Sequence, residues 1–229
     1  MCRILGIKNF SYDKHIELVE NFYKLAHIGK VPPGNKPGHT DGWGIGYYRN
    51  SKPVIYKSGG SVIKEKSTFF AHIKNIVSTN ILIIHFRKSA WSNTNNTNNS
   101  HPFNYNNILF AHNGTIIDYK KLYKYINNPY FNGLDTETFL QFILRNISSG
   151  LESAFKKSVS FIIKNNKYTS LTCIFSDGEK LYAFREYTKN SNYYTLYYTE
   201  NNGSVIISSE PISNKLQWLL LKKSKLFAI

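Results

Sequence analysis

Apolar residues along this chain recur with two periods, and the order of those periods predicts its layers. Residues 2–7 form an apolar run of strand length, whereas Ile16, Leu18, Val19, Phe22, Tyr23 and Leu25 recur with helical spacing over residues 13–26. Pro32, Pro33 and Pro37 make residues 29–38 a loop, after which residues 42–48 and 53–56 read as a hairpin turning at 49–52. A helix is expected over 67–77 with Ser67 or Thr68 as its cap, and residues 80–86 are an apolar run too short for anything but a buried strand. Residues 91–99, rich in Asn, Thr and Ser, break every periodicity and read as a flexible surface loop.

A strand over 107–111 precedes helices at 118–126, 135–146 and 151–163. The second of these opens with Asp135, Thr136, Glu137 and Thr138, all suited to a helix N-terminus, with Asp135 as the expected N-cap. Strands then return at 170–175, 180–187, 193–198 and 204–207, separated by turns that include Asp177, Gly178 and Asn202, Gly203. No Gly/Ser linker, charge block or internal repeat divides the chain, so residues 1–229 are expected to form one domain. Strands joined by turns favour an α+β layered sandwich of mainly antiparallel sheets over a parallel βαβ sheet.

Composition narrows the setting. At 229 residues and 41% hydrophobic content the chain can bury a full core. It contains neither the roughly 20 consecutive apolar residues of a membrane span nor a signal-peptide apolar region. Its two cysteines, Cys2 and Cys173, make neither a disulfide framework nor a clustered zinc site, and a reducing cytoplasm is expected. The net charge of +15 raises a basic nucleic-acid-binding or scaffold protein as the reading of another class. Against it, the lysines are scattered, and the runs Lys120, Lys121 and Lys222, Lys223 are short and lack interleaved aromatics.

The chemistry centres on Cys2. Removal of Met1 would place a thiol and a free α-amine on one residue, and the ordinary pKa values of these groups, about 8.5 and about 7.7–8.0, are matched for proton transfer near neutrality. An N-terminal amine is an established activator of a nucleophile. Taken alone, Cys2 reads equally as a small buried residue opening a strand. Arg87 closes an apolar run, and its planar fork can hold a carboxylate bidentately. Asn113 and Gly114 follow the 107–111 strand, where Gly lets backbone approach a ligand and Asn tolerates unusual dihedrals. Trp43, among Gly42, Gly44 and Gly46, either covers the site or fills a strand's core. His39, His101 and His112 show no ligand spacing on a shared element, so no metal is expected. Cys173 reads as an inert buried thiol.

These residues occur in an ordered series: Met1, Cys2, Arg3, Ile4, Leu5, Gly6; Asp41 to Gly46; His85, Phe86, Arg87; His101, Pro102, Phe103; Ala111, His112, Asn113, Gly114, Thr115; and Asp135, Thr136, Glu137, Thr138. Ser208, Ser209, Glu210, Pro211, Ile212 and then Trp218 close it. The series resembles the class II glutamine amidotransferases, in the stand-alone branch of that N-terminal nucleophile family. The resemblance implies a four-layer αββα sandwich and a Cys2 nucleophile acting on the γ-amide of glutamine or of a γ-glutamyl small molecule. It implies an oxyanion hole from the Asn113 side chain and the Gly114 N–H, with Arg87 on the substrate α-carboxylate and Asp135 on its α-ammonium. His101 and Trp43 would line the substrate site. No cofactor, metal, membrane or nucleic acid is implied, and a homo-oligomer is left open. Because Ile229 follows soon after the closing motif, the expectation is either a separate ammonia-accepting synthase subunit or simple hydrolysis of a γ-glutamyl amide or peptide. One departure bears on substrate: synthase-linked members carry Trp-Ala-Thr-His after the arginine, and this chain has Lys88, Ser89, Ala90, Trp91.

Overall fold

Alternation along the strands decides which of three apolar layers each side chain joins. A computed structural model describes residues 2–32, 34–128 and 131–229; Met1 and Pro33 of the expected 29–38 loop lie outside them. The chain runs β1 (Arg3–Ser11), α1 (Tyr12–Ile28), β2 (Trp43–Arg49), β3 (Lys52–Ser58), α2 (Lys66–Lys74), β4 (Ser78–Phe86), β5 (Phe103–Tyr105) and β6 (Ile108–Ile116). A 3-10 helix (Tyr119–Tyr125), α3 (Asp135–Leu144) and α4 (Leu151–Asn165) follow. The chain then closes with β7 (Tyr168–Ser176), β8 (Leu181–Phe184), β9 (Tyr197–Asn201), β10 (Ser204–Ser208), β11 (Leu219–Leu220) and β12 (Leu226–Ala228).

The strands form two antiparallel sheets, ordered β11-β9-β10-β1-β4-β2-β3 and β12-β8-β7-β6-β5. Leu5, Ile7, Ile45 and Ile84 point from the first sheet into a core shared with Phe22 of α1 and Phe69 of α2. Their neighbours Ile4 and Ile83 point the other way and meet Leu109, Ala111 and Ile174 of the second sheet. Phe110 and Phe175 leave the far face of that sheet to pack on Phe139 and Phe155 of α3 and α4. Four layers, αββα, result from this alternation, as the resemblance implied.

Several local expectations are corrected. The helix expected at 118–126 is present as a 3-10 helix over residues 119–125. The expected 193–198 strand begins only at Tyr197, because Arg185 draws the preceding backbone round itself, its Nε donating to the Tyr194 carbonyl at 2.8 Å and its Nη2 to the Ser191 carbonyl at 3.0 Å. Helix α2 starts at Lys66, and neither Ser67 nor Thr68 caps it. Asp135 is the first residue of α3, with Leu134 in the N-cap position, so its carboxylate is free for other partners. Strand β6 continues past Ala111 through Asn113 and Gly114, which lie opposite Thr172 and Leu171 of β7.

Trp43 requires the largest correction. It shares its β2 face with Ile45 and Tyr47, and that parity aims it into the helical layer, edge-on to Phe69 at 5.5 Å, with its Nε1–H donated to Glu65 Oε2 at 2.7 Å. It lines no part of the cleft described next.

Candidate active site

Cys2 precedes β1 and is 6% exposed. Its backbone N–H donates to Asn113 Oδ1 at 2.9 Å, which ties the start of the first sheet to the second. Asn113 comes within reach because Leu109, Ala111 and Asn113 alternate onto the face of β6 that looks between the sheets. Since Oδ1 is engaged by Cys2, the orientation of the amide is set, and its Nδ2 is left buried without a hydrogen-bond partner. An unpaired buried donor costs on the order of 1–3 kcal/mol, so its retention beside a thiol points to a ligand that completes it. At Gly114 a Cβ would stand 2.0 Å from the Ser170 carbonyl oxygen, so only glycine lets β6 lie this close to β7 while lining the cleft.

Three further elements close the cleft. Arg87 follows β4 and extends its pairing: its N–H donates to the Gly42 carbonyl at 2.8 Å, and its own carbonyl accepts from Asp41 at 2.9 Å. Its guanidinium donates to the Thr94 carbonyl (3.0 Å), Thr94 Oγ1 (2.9 Å), Ser89 Oγ (3.0 Å) and the Asp41 carbonyl (3.2 Å). The polar segment expected as a loose loop is therefore wrapped round Arg87, with the Ser89 N–H donating to Asp41 Oδ2 at 2.9 Å. Asp135, buried at the start of α3, accepts from Trp91 Nε1 at 3.0 Å and from the Ile116 N–H at 3.1 Å. Cys2, Arg87, Trp91, His101, Gly114 and Asp135 all line the cleft.

Trp91 was not singled out from the sequence. The signal was there: one large aromatic in a run of Asn, Ser and Thr needs a buried partner. Arg3 was missed as well. It is wholly buried, pairs through Nη1 with Glu210 Oε1 at 2.9 Å and stacks on Tyr193 at 4.6 Å. The Ile4 N–H donates to Ser209 Oγ at 2.8 Å, so Ser209 and Glu210 of the closing motif anchor the strand that carries Cys2.

The histidines form a buried series. His101 Nδ1 lies 2.8 Å from His85 Nε2, which lies 3.3 Å from the His112 carbonyl oxygen. His112 points to the other face of β6, with Nδ1 3.1 Å from Thr136 Oγ1 and Nε2 2.9 Å from the Ser170 carbonyl oxygen. Burial pushes all three below the ordinary histidine value, so they are neutral at pH 7. Gly44 admits the His101 backbone, since a Cβ there would lie 2.2 Å from its carbonyl oxygen. Burial pushes the Cys173 thiol well up, in keeping with an inert role. Ligand spacing along the sequence gave no metal site, yet the fold places one donor atom each from Cys2, His85 and His101 within 4.8 Å of one another.

Comparison with known proteins shows the family and the fold. The model of the family "Glutamine amidotransferases class-II" matches residues 1–198. The uncharacterized protein MJ1515 of Methanocaldococcus jannaschii is 29% identical over 198 residues, covering 82% of this chain and 51% of that protein, so the chain spans about half the length of this relative. Among solved structures, a glutamine aminotransferase class-II domain protein from Silicibacter pomeroyi superposes with a TM-score of 0.69 at 15% identity, over 100% of this chain and 94% of its own. The glutamine phosphoribosylpyrophosphate amidotransferase of B. subtilis superposes with a TM-score of 0.72 at 18% identity, over 100% of this chain and 47% of that one. With the family model covering most of its length, and with the αββα fold those structures share, this chain belongs to the class II glutamine amidotransferases.

Proposed function

We propose that this protein hydrolyses the γ-amide of glutamine through a γ-glutamyl thioester on Cys2. The Cys2 sulfur attacks the γ-carbonyl carbon, and the oxyanion is received by the Asn113 Nδ2–H and the Gly114 N–H. The C–N bond then breaks and ammonia leaves with the proton taken from the thiol. Water cleaves the thioester to glutamate and restores the thiol. Proton transfer in both halves falls to the α-amine that Met1 removal exposes on Cys2. Asp135 takes the substrate ammonium, and Arg87 takes its carboxylate by exchanging some of the hydrogen bonds its terminal N–H groups make to Asp41, Ser89 and Thr94. The observation that carries this reading is the Asn113 amide, with one end bound to the Cys2 N–H and the other buried and unpaired beside the nucleophile. Glutamate release from glutamine by the wild type, abolished in Cys2→Ala, tests it; undiminished release in the variant would refute it. Ammonia would pass to a separate synthase subunit, which copurification from the native source would reveal.

A second reading, hydrolysis of a substituted γ-glutamyl amide or peptide, is favoured by one feature. Asn99, Phe103 and Leu134 line both the cleft and an adjoining groove walled by Lys57, Asn98 and Glu137. Lys57 sits 4.9 Å over the Phe103 ring, and burial pulls its pKa down. Such a groove offers hydrogen bonds to a polar group on the leaving nitrogen, which free glutamine does not possess. A kcat/KM for a γ-glutamyl dipeptide well above that for glutamine selects this reading, and the reverse ratio removes it.

A further inference from the structure

We propose that Cys2, His85 and His101 form an inhibitory binding site for a soft divalent cation, zinc foremost. One donor atom from each lies within 4.8 Å of the others, at the inner end of a cleft that Cys2 and His101 line and that gives access from solvent. A thiolate with two imidazoles is a donor set that zinc favours, with a water from the cleft as fourth ligand. The two Nδ1 atoms of His85 and His101 are 3.3 Å apart, close to the roughly 3.3 Å between two nitrogens each about 2.05 Å from one tetrahedral zinc. With the His85 proton on Nε2, facing the His112 carbonyl at 3.3 Å and His101 Nδ1 at 2.8 Å, the His85 Nδ1 lone pair is free, and cation binding would exchange the His85–His101 hydrogen bond for a bond from His101 Nδ1 to the metal. Coordination requires a small approach of the sulfur and the rings.

The step balances simply. The Cys2 thiol releases its proton to solvent as the sulfur–metal bond forms, the imidazoles contribute lone pairs, and no redox change occurs. Arg87, whose positive charge is felt at both histidines, opposes cation binding. That binding blocks catalysis rests on Cys2 being the nucleophile; the binding itself does not.

Cobalt(II) titration of the full chain, freed of metal by chelation, separates the two. The expected result is one equivalent bound with a near-ultraviolet thiolate-to-cobalt band that zinc displaces, absent in Cys2→Ser and about tenfold or more weaker in affinity in the shape-conserving His85→Gln and His101→Gln. Zinc should abolish glutamate release, and chelator should restore it. No band in the wild type, or a band that survives in Cys2→Ser, overturns the proposal. A band that depends on Cys2 in a protein without amidase activity keeps the metal site and refutes the catalytic reading; amidase activity untouched by zinc does the opposite.

Discussion

The cleft has two halves built by different means. Asn113 and Gly114 are fixed by ladder pairs with β7 and by packing that admits no added atom at Gly114, and Cys2 stands one residue before the β1 ladder, tied to Asn113 by its backbone N–H. Arg87, Trp91 and Asp135 are held by a polar segment and a helix start, through side-chain hydrogen bonds that other sequences could remake. In the proposed reaction the sulfur and the two oxyanion donors, whose placement must hold to fractions of an ångström, all lie on this rigid half. The substrate-binding roles proposed for Arg87 and Asp135 fall on the other half. The departure after Arg87, Lys88 to Trp91, falls wholly in the second.

This division predicts that the two halves fail in different kinetic constants. Asn113→Ala should lower kcat by roughly a hundredfold to a thousandfold with little change in KM, because the lost donor acts on the developing oxyanion. Asp135→Asn removes a charge from substrate binding and should raise KM by about 10–100-fold with kcat nearly kept, from a charged hydrogen bond of about 1.5–3 kcal/mol. A fall in kcat alone in that variant would break the division.

Acid should act mainly on the rigid half. His85, His101 and His112 are held below their ordinary value by burial, so the native state resists protonation while the unfolded chain takes up protons below pH of about 6.5. Stability is full above that pH and is lost as pH falls, by up to about 1.4 kcal/mol per unit for each histidine. Melting temperatures between pH 8 and pH 5 should therefore fall steeply, and less so in His101→Asn. A flat profile contradicts the burial of neutral rings. The smallest effect is expected for Trp91→Phe, which removes the donor to Asp135 and should raise KM about 2–10-fold, for a hydrogen bond of about 0.5–1.5 kcal/mol.

Much of this was legible in the sequence because the central strands are buried on both faces and read as continuous apolar runs. The runs at 80–86 and 170–175 could only be buried strands, and each lies within an observed one. Asn113 and Gly114 were named as a site but placed after their strand, since the apolar signal stops at Ala111 and only the ladder to Thr172 and Leu171 carries β6 onward. Trp43 was misplaced because glycines on both sides hide its parity; only the pairing of β2 with β4, Trp43 opposite Phe86, shows that it faces the helices. The short β5, β11 and β12 leave no pattern of their own, being shaped by the edges they join. Proximity of His85 and His101 could not be read at all, as it comes from a segment crossing over β2 at Gly44.

The central claim, that Cys2 is the nucleophile, is tested most directly by intact-protein mass spectrometry before and after reaction with an electrophilic glutamine analogue. The expected result is a chain lacking Met1 that gains a single adduct, mapped to Cys2, with Cys173 unmodified. An adduct on Cys173, or an active protein that leaves Cys2 unlabelled, would contradict it.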